Sequence, residues 1–220
     1  MNTIIENILN LIYPETCGVC GRICQESLCK KCEIKLKEFE LKNKRIKIIR
    51  NNDIFVDEIY SIYRYDGLIR ALILKYKFNN KSYLYKTFSK IILNNKKICG
   101  FLKKYDIIIP VPIHKKRKSK RGYNQTELVA CKLASKLNLK LERSVLIKVK
   151  NTRRQSELSR EDRKINVLNA FKVSNINVTK EKNILILDDI YTTGSTVNEC
   201  AKILKNSGAK KIGVLTIAKD

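Results

Sequence analysis

Apolar and polar positions follow two different periods along the second half of the chain. Residues 106–112 (DIIIPVP), 184–187 (ILIL) and 211–218 (KIGVLTIA) are nearly continuous apolar runs, which predict strands buried on both faces. Residues 126–139 and 195–206 instead carry apolar side chains at helical spacing. Strands that alternate with helices are typical of a parallel sheet covered by helices, so we predict an α/β fold.

The first half of the chain has a less regular pattern. Residues 2–12 carry isoleucine and leucine at helical spacing, which predicts a short amphipathic helix. Residues 33–42 are expected to form a charged helix or an extended tail, and residues 57–65 read as a strand because β-branched and aromatic residues dominate them. Two more helices are predicted over residues 68–78 and 83–94. The sequence shows no internal repeat and no low-complexity linker.

The charge of the chain points to an anionic partner. Its 220 residues include 46 basic and 21 acidic ones, for a formal net charge of +25. The excess is densest from Lys103 to Arg163, where 18 basic and 6 acidic residues lie. Polyanions are the natural partners of such a segment. A solvated lysine-rich surface, or a bias of composition toward lysine, isoleucine and asparagine, explains the same excess without a partner.

No targeting or membrane signal is visible in the sequence. No apolar run approaches the roughly 18 residues that span a bilayer. The first residues, MNTIIENILNLIYPE, lack the basic start and small-residue cleavage site of a secretory signal. We therefore expect a cytoplasmic protein without a membrane span. In that reducing compartment, the 8 cysteines indicate metal or redox chemistry before disulfides.

Four of the cysteines form two CxxC pairs, Cys17 with Cys20 and Cys29 with Cys32. Two such turns direct four thiolates at one centre and leave no open position, which predicts a structural zinc site. A redox dithiol and four unliganded thiols are the alternatives. Cys24 is out of register with both pairs and is not assigned to the site. The other three, predicted to be small buried side chains, are Cys99, Cys131 and Cys200.

The segment after strand 184–187 is the strongest candidate for a ligand site. Asp188 and Asp189 end the apolar run, and a loop of hydroxyl residues around a glycine follows: Thr192, Thr193, Gly194, Ser195 and Thr196. Hydroxyl donors, close backbone approach at glycine and a helix amino terminus together predict a phosphate site. Neighbouring carboxylates suit the hydroxyls of a sugar or a magnesium ion, so we interpret the pair as a ribose reader. An ordinary capped turn is the alternative.

The motif DDIYTTGST after an apolar strand resembles the phosphoribosyl pyrophosphate motif of type I phosphoribosyltransferases. The whole chain is similar to the ComF family, which joins such a domain to an amino-terminal double-CxxC zinc module. The similarity also rests on residues 68–78, 107–130 and 154–171. It implies three parts: a helix and zinc module over 1–45, a connecting or hood segment over 46–100, and a phosphoribosyltransferase-like domain over 101–220.

The resemblance also implies roles for individual residues. Asp188 and Asp189, the candidate catalytic pair, bind the ribose hydroxyls, and residues 192–196 bind the 5′-phosphate. The pyrophosphate lies near Val111 and Pro112. In type I enzymes, Mg²⁺ bridges the pyrophosphate and the ribose hydroxyls, and catalysis is mainly electrostatic stabilisation and positioning.

One position departs from some purine-using members of that class. They carry an aspartate that acts on the incoming base where this chain has Thr192. A proton transfer from this loop is therefore not expected, and no general base is assigned. His114, the single histidine, lies beside the basic segment, but a surface histidine in a loop is more often inert.

Residues 114–125 (HKKRKSKRGYNQ) are expected to form a basic loop at the same sheet edge. Four residues in it are placed to reach the pyrophosphate or an acidic partner: Arg117, Arg121, Asn124 and Gln125. As a catalytic loop, the segment would close over the pyrophosphate. As a nucleic-acid surface, it would hold phosphates on Lys116, Lys118 and Lys120 and stack a base on Tyr123.

A second basic stretch is expected to form part of a hood over the site. It contains Arg153, Arg154, Gln155, Arg160 and Arg163, and a solvated face is the alternative. Two functions follow from the resemblance and the charge. One is a phosphoribosyltransferase-type protein that binds phosphoribosyl pyrophosphate with Mg²⁺ and transfers, or once transferred, a phosphoribosyl group. It would act on incoming single-stranded DNA during natural transformation, beside other DNA-uptake proteins. The other is a non-catalytic nucleic-acid-binding or nucleotide-sensing protein that uses the same fold.

Overall fold

The computed structural model describes residues 14–48, 53–153 and 158–220. The helix predicted over residues 2–12 lies outside them. The described α-helices are α1 (Lys30–Lys37), α2 (Gly67–Phe78), α3 (Leu84–Leu93), α4 (Lys96–Leu102), α5 (Lys115–Arg121), α6 (Gln125–Leu137), α7 (Arg160–Val167) and α8 (Ser195–Asn206). The strands are β1 (Arg45–Lys47), β2 (Glu58–Arg64), β3 (Ile107–Pro110), β4 (Lys140–Leu141), β5 (Leu146–Lys148), β6 (Phe171–Val173), β7 (Asn183–Tyr191) and β8 (Lys211–Lys219).

A six-stranded sheet runs through the centre of the fold, in the order β1-β2-β8-β7-β3-β4. β1 is antiparallel to β2, and all other neighbours in this sheet are parallel. β5 and β6 form a separate antiparallel pair. The mostly parallel sheet with helices on its faces confirms the α/β fold that the alternating pattern predicts.

The central strand β7 is buried on both faces, which explains its continuous apolar run. Leu185 and Leu187 pack in one core with residues of α2, α3, α4 and α6. Ile184 and Ile186 point to the opposite face and pack in a second core with α8 and the β5-β6 pair. Successive strand residues face opposite sides of a sheet, so both sets must be apolar.

The carboxyl ends of the central strands meet at one edge. Pro110 at the end of β3 is in register with Leu187 of β7. The backbone N–H of Val111 then donates to the Leu187 carbonyl at 2.9 Å. The segments that follow β3 and β7 therefore lie side by side, where open α/β sheets place their ligands.

The predicted strand over residues 57–65 is an inner strand of this sheet. β2 pairs with β8, and the hydroxyl oxygens of Ser61 and Thr216 lie 2.8 Å apart in the buried interface. The helices that follow, α2 and α3, begin and end within one residue of the ranges predicted for them. This part of the chain thus builds the central sheet and its core as well as the site.

The expectation of a basic loop over residues 114–125 is wrong for most of its length. Residues 115–121 form helix α5, which ends at Gly122 with a φ of +81°. Lysine and arginine favour helices, and the His114 side chain caps this one by accepting the Lys116 N–H at 3.3 Å. None of the α5 residues is buried, so the sequence of this helix carries no apolar stripe that would predict it.

Candidate functional site

The loop between β7 and α8 turns at Gly194. This residue has a φ of +77°, and a Cβ there would lie 2.5 Å from the hydroxyl oxygen of Tyr191. Glycine alone fits both the dihedral angle and the contact without a shift of the ring. The turn brings the hydroxyl oxygens of Thr193 and Ser195 within 2.8 Å of each other. Residues 190–197, together with Asp188, line a small concavity at the start of α8.

The acidic pair lies beside that concavity. Asp188 and Asp189 are in the last part of β7, because the strand continues to Tyr191. The backbone N–H of Asp189 donates to Asp188 Oδ1 at 2.8 Å. Burial, and then the charge of Asp189, raise the pKa of Asp188 to about 7. Asp188 therefore changes its charge near neutral pH, which suits a group that must respond to a ligand.

Lys77, near the end of α2, brings a positive charge to the pair. Its Nζ lies 2.8 Å from Asp189 Oδ1, and only 21% and 15% of the two side chains are exposed. Helix α2 is held in place by Tyr76, whose hydroxyl donates to the Gln125 carbonyl at 2.9 Å. Sequence reasoning missed Lys77, because nothing in the pattern distinguishes it among 46 basic residues.

Lys148, at the end of β5, is a second lysine that the sequence did not reveal. Its Nζ lies 5.2 Å from the centre of the Phe171 ring. Burial, and then the charge of Arg117, lower the pKa of Lys148 to about 8, whereas Asp188 acts in the opposite direction. Lys148 therefore sits within electrostatic reach of both the acidic pair and the basic helix α5.

The segment after β3 is fixed by the first turn of α6. The Val111 carbonyl accepts hydrogen bonds from Asn124 Nδ2 and Thr126 Oγ1, each at 3.0 Å. Gln125 Nε2 donates to the Tyr76 carbonyl at 3.3 Å. Asn124 and Gln125 are both buried. Their side chains thus support the Val111 backbone and α2 from within the protein.

The two arginines of α5 make contacts toward the body of the protein. Arg117 Nη2 donates to the Thr152 carbonyl at 2.9 Å. Arg121 Nη1 donates to Gln125 Oε1 at 2.5 Å, and its guanidinium carbon lies 5.4 Å from the centre of the Phe78 ring. Both arginines are half-buried, as is Pro112 in the preceding segment.

The lysines of α5 form a basic outer surface. Lys116, Lys118 and Lys120 are exposed, and Lys118 Nζ lies 3.0 Å from Glu127 Oε2. Tyr123 has a different environment. Its ring centre lies 5.9 Å from that of Tyr76, and its hydroxyl donates to the Tyr76 carbonyl at 2.6 Å.

His114 acts as a helix cap. It is 8% exposed, and its Nδ1 accepts the Lys116 N–H. Burial, and then the charges of Lys115, Lys116 and other nearby cations, lower its pKa, which keeps Nδ1 available as an acceptor.

The second basic stretch lies partly outside the described residues, since these exclude Arg154 and Gln155. Arg153 is tied to α7 through Asn166, which accepts its N–H at 3.0 Å and donates to its carbonyl at 3.1 Å. Arg163 Nε donates to the Leu158 carbonyl at 3.2 Å, and Arg160 is exposed.

The two CxxC pairs come together in the structure. The sulfur atoms of Cys17, Cys20, Cys29 and Cys32 all lie within 4.8 Å of one another. Cys20 and Cys29 are 3.9 Å apart, close to the spacing of about 3.8 Å that tetrahedral zinc requires with Zn–S bonds of about 2.3 Å. The geometry and the donor set therefore fit a structural metal ion.

Two thiols of the cluster have pKa values shifted in opposite directions. Burial alone would raise the pKa of Cys17, but backbone hydrogen bonds, first from Cys29, lower it to about 6. Burial raises the pKa of Cys32. Cys24 is outside the cluster, and its sulfur donates to the Glu26 carbonyl at 2.7 Å.

The other cysteines are packed to different degrees. Cys200 is buried, as predicted, whereas Cys99 and Cys131 are half-buried.

The cysteine module, here residues 14–37, packs directly on α3. Leu28 and Leu36 are buried in the same core as Leu84 and Phe88. Thr87 Oγ1 donates to the Ser27 carbonyl at 2.8 Å, and Lys90 Nζ donates to the Leu28 carbonyl at 2.9 Å. At Gly18 a Cβ would lie 2.3 Å from Thr87 Oγ1, so this glycine permits the close approach.

Comparison with known proteins gives consistent results. The Phosphoribosyl transferase domain family matches residues 126–220. Competence protein F of Haemophilus influenzae is 32% identical over 167 residues, which cover 74% of this chain and 73% of that protein. DNA utilization protein YhgH of Salmonella typhimurium is 28% identical over 212 residues, covering 94% and 91%. Competence protein ComFC of Bacillus subtilis is 26% identical over 209 residues, covering 91% and 75%.

A parallel sheet whose carboxyl edge carries an acidic pair and a hydroxyl loop, together with this family match, defines a phosphoribosyltransferase-like domain. The similarity to relatives extends well beyond that domain, over 94% of the chain for YhgH. The chain belongs to the family of Competence protein F, or ComF. Among the described helices, none has the length and apolar character needed to cross a bilayer.

Proposed function

We propose that this protein binds phosphoribosyl pyrophosphate together with Mg²⁺ and acts in the uptake of single-stranded DNA during natural transformation. The proposed binding of phosphoribosyl pyrophosphate rests on one observation, which is that an acidic pair and a hydroxyl loop share one sheet edge. The ribose hydroxyls would be held by Asp188 and Asp189, and the 5′-phosphate by residues 192–196. The pyrophosphate would lie beside Val111 and Pro112.

The chain's own cations complement this arrangement. Lys148, whose charge acts on Asp188 and His114, and Arg117 of α5 would supply positive charge for the pyrophosphate. Mg²⁺ bound with the ligand would neutralise part of the remaining phosphate charge. In a transfer reaction the bond between the anomeric carbon and the pyrophosphate breaks as the acceptor attacks. The fixed carboxylates would then stabilise the positive charge that develops on the sugar.

The amino-terminal part of the proposal is a structural zinc ion on Cys17, Cys20, Cys29 and Cys32. Its support is the closed four-sulfur cluster. Zinc would fix the surface that packs on α3, and α3 in turn packs on α6 of the site core. A reduced thiolate cluster suits the cytoplasm, where we place the protein.

Two observations support a role with DNA. The relatives include proteins named for competence and for DNA utilization. The exposed lysines of α5 offer cations to a phosphate backbone next to the site. Single-stranded DNA and other DNA-uptake proteins are therefore the partners we propose. The same lysines also favour the second candidate function, a non-catalytic nucleic-acid-binding or nucleotide-sensing protein.

Calorimetry with phosphoribosyl pyrophosphate and Mg²⁺ tests the site. Asp189→Asn should weaken binding by about 1.5–3 kcal/mol, because it removes a charged hydrogen-bond acceptor. Gly194→Val should abolish binding, because the added side chain meets the Tyr191 hydroxyl and the dihedral angle is strained. Circular dichroism should show that both variants remain folded.

Two matched controls separate the site from general damage. Asp106→Asn changes a carboxylate at the amino end of β3, where it accepts the Asn183 N–H at 2.7 Å. Gly208→Val changes another glycine of positive φ whose Cβ would meet only ordinary contacts of 3.4 Å or more. Both should bind the ligand normally. Absence of detectable heat from the zinc-loaded wild-type protein at millimolar ligand would refute the site. Where the wild-type protein does bind the ligand, pyrophosphate release in the presence of a panel of bases and nucleotides measures transfer.

A further inference from the structure

An exposed aromatic ring lies at the end of α2, in contact with the last residue of α5. Phe78 ends α2 with 49% of its surface exposed, and the Arg121 guanidinium carbon lies 5.4 Å from its ring centre. The bond from Arg121 to Gln125 Oε1 fixes the guanidinium in place. The preceding residue, Lys77, pairs with Asp189. Phe78 and Arg121, here called the rim pair, therefore join the end of α5 to the lysine that pairs with Asp189. Gln125, the partner of Arg121, lines one small cavity with Asp188 and Asp189.

The rim pair has the chemistry that recognises a nucleobase. A phenyl ring offers a flat apolar face, and a guanidinium is a planar cation that also stacks on aromatic rings. Such faces bind bases in single strands with little regard to sequence. A single ring is too small for a stable protein interface, which buries on the order of 800 Å² on each partner.

The cations of α5 extend the rim pair into a track. Arg117 and Arg121 are four residues apart and contact the body of the protein. Lys116 and Lys120, also four apart, share another face of the helix and are exposed. A strand with one base on the rim pair would therefore have cations for its neighbouring phosphates along α5.

We propose that the rim pair stacks one base of a single-stranded nucleic acid and so holds the strand beside Asp188 and Asp189. This proposal rests on the DNA-binding part of the proposed function and assigns the stacking residue within it. Phe78 takes the place that sequence analysis gave to Tyr123, whose ring packs on Tyr76 and whose hydroxyl is bonded to the Tyr76 carbonyl.

Tryptophan fluorescence tests the stacking directly, because the chain contains no tryptophan. In Phe78→Trp, titration with a thymidine oligonucleotide of about 12 residues should quench the emission as a base stacks on the indole. An abasic strand of equal length and charge should bind through its phosphates without that quench. The matched control is Tyr83→Trp, at an aromatic that is 44% exposed with Lys81 Nζ 5.8 Å from its ring centre. It should show no quench.

Affinity measurements distinguish failure of the proposed DNA binding from failure of the rim pair as its stacking site. Phe78→Ala should bind the oligonucleotide at least about fivefold more weakly, as expected from loss of one stacked base. Its salt dependence should stay unchanged, while the changes Lys116→Glu, Lys118→Glu and Lys120→Glu together should reduce the salt slope. If the wild-type protein binds no strand, the proposed DNA function fails as a whole.

The remaining outcomes bear on the rim pair alone. If the wild-type protein binds and Phe78→Ala binds equally well, the rim pair is not the stacking site. An equal quench by abasic and thymidine strands, or from the Tyr83→Trp control, would lead to the same rejection. If thymidine monophosphate quenches as strongly as the strand at equal concentration, the occupant is a free nucleotide and the strand assignment is wrong.

Discussion

The described residues include a cluster of four thiols and a pair of carboxylates, and these two groups are built differently. The four thiols of the cysteine module converge from all sides on one centre, with every sulfur within 4.8 Å of the others. The two carboxylates of the sheet edge are consecutive residues of one strand, in which Asp188 lines the concavity and Asp189 pairs with Lys77. One cluster encloses its cation site, and the other keeps an open face with a lysine as counterion.

We expect this difference to separate the structural role proposed for the thiols from the ligand-binding role proposed for the carboxylates. A closed set of four ligands leaves a metal no position for substrate, so its free energy of binding becomes folding free energy. In an open acidic pair with a side-chain counterion, where burial raises the pKa of Asp188, a carboxylate can change its proton or its partner without unfolding the chain. The distinction can be tested by removing the cation from each cluster and by changing the pH.

The largest effect is expected from Cys29→Ser. It should eliminate stoichiometric zinc, measured by elemental analysis, because structural zinc sites contribute roughly 10–16 kcal/mol of apparent binding free energy in small modules. Deuterium exchange should rise over residues 14–37 and over α3, whose Thr87 and Lys90 bond to the module's carbonyls. The central strands β7 and β8 should stay protected.

Cys24→Ser is the matched control for this change. Its sulfur bonds to the Glu26 carbonyl outside the cluster, so zinc content and exchange should match the wild-type protein. Wild-type protein purified without chelators that contains no zinc would contradict the structural assignment. Loss of zinc from Cys24→Ser would contradict the choice of ligands.

A smaller effect is expected from Lys77→Met, which removes the counterion of the acidic pair. The loss of unfolding free energy at pH 8 should be about 1–3 kcal/mol, because a largely buried carboxylate loses its partner. The loss should shrink as the pH falls through the pKa of Asp188, about 7, because the Lys77 charge also favours the charged form of that carboxylate. Urea unfolding at several pH values measures both quantities.

Lys75→Met provides the comparison on the same helix, since Lys75 is exposed. It should change the stability by less than about 0.5 kcal/mol. Equal losses for the two variants at pH 8 would show that the Lys77–Asp189 pair does not stabilise the site.

The smallest effect is a pH dependence of ligand binding. Burial and the charge of Asp189 raise the pKa of Asp188 to about 7, so its charged form increases as the pH rises through neutrality. Ribose hydroxyls donate to the charged form, so binding of phosphoribosyl pyrophosphate should strengthen between pH 6 and pH 8, by at most about tenfold. Calorimetry at pH 6, 7 and 8 measures this change.

Asp188→Asn separates this carboxylate from the phosphates of the ligand, which also titrate in that range. Binding to the variant should be weaker at pH 8 and should depend less on pH than binding to the wild-type protein. If the two proteins have the same pH profile, the dependence belongs to the ligand and the role of Asp188 is refuted.

Local patterns predicted the two clusters but not their surroundings. The CxxC spacing and the run from Asp188 to Thr196 are continuous in sequence, so their chemistry is visible without the fold. Lys77 and Lys148 reach the site only through the packing of α2 and β5, and they have no distinguishing neighbours in the sequence. Helix α5 was missed because its charged residues show no apolar period.

The strand order also determines when the central sheet can form during synthesis. Ser61 of β2 and Thr216 of β8 face each other across the sheet although 155 residues separate them. β2 therefore emerges from the ribosome long before the strand that covers its edge, and contacts of such separation form slowly. Until then β2 lacks the strand that pairs with it, and an unpaired strand edge is prone to aggregation.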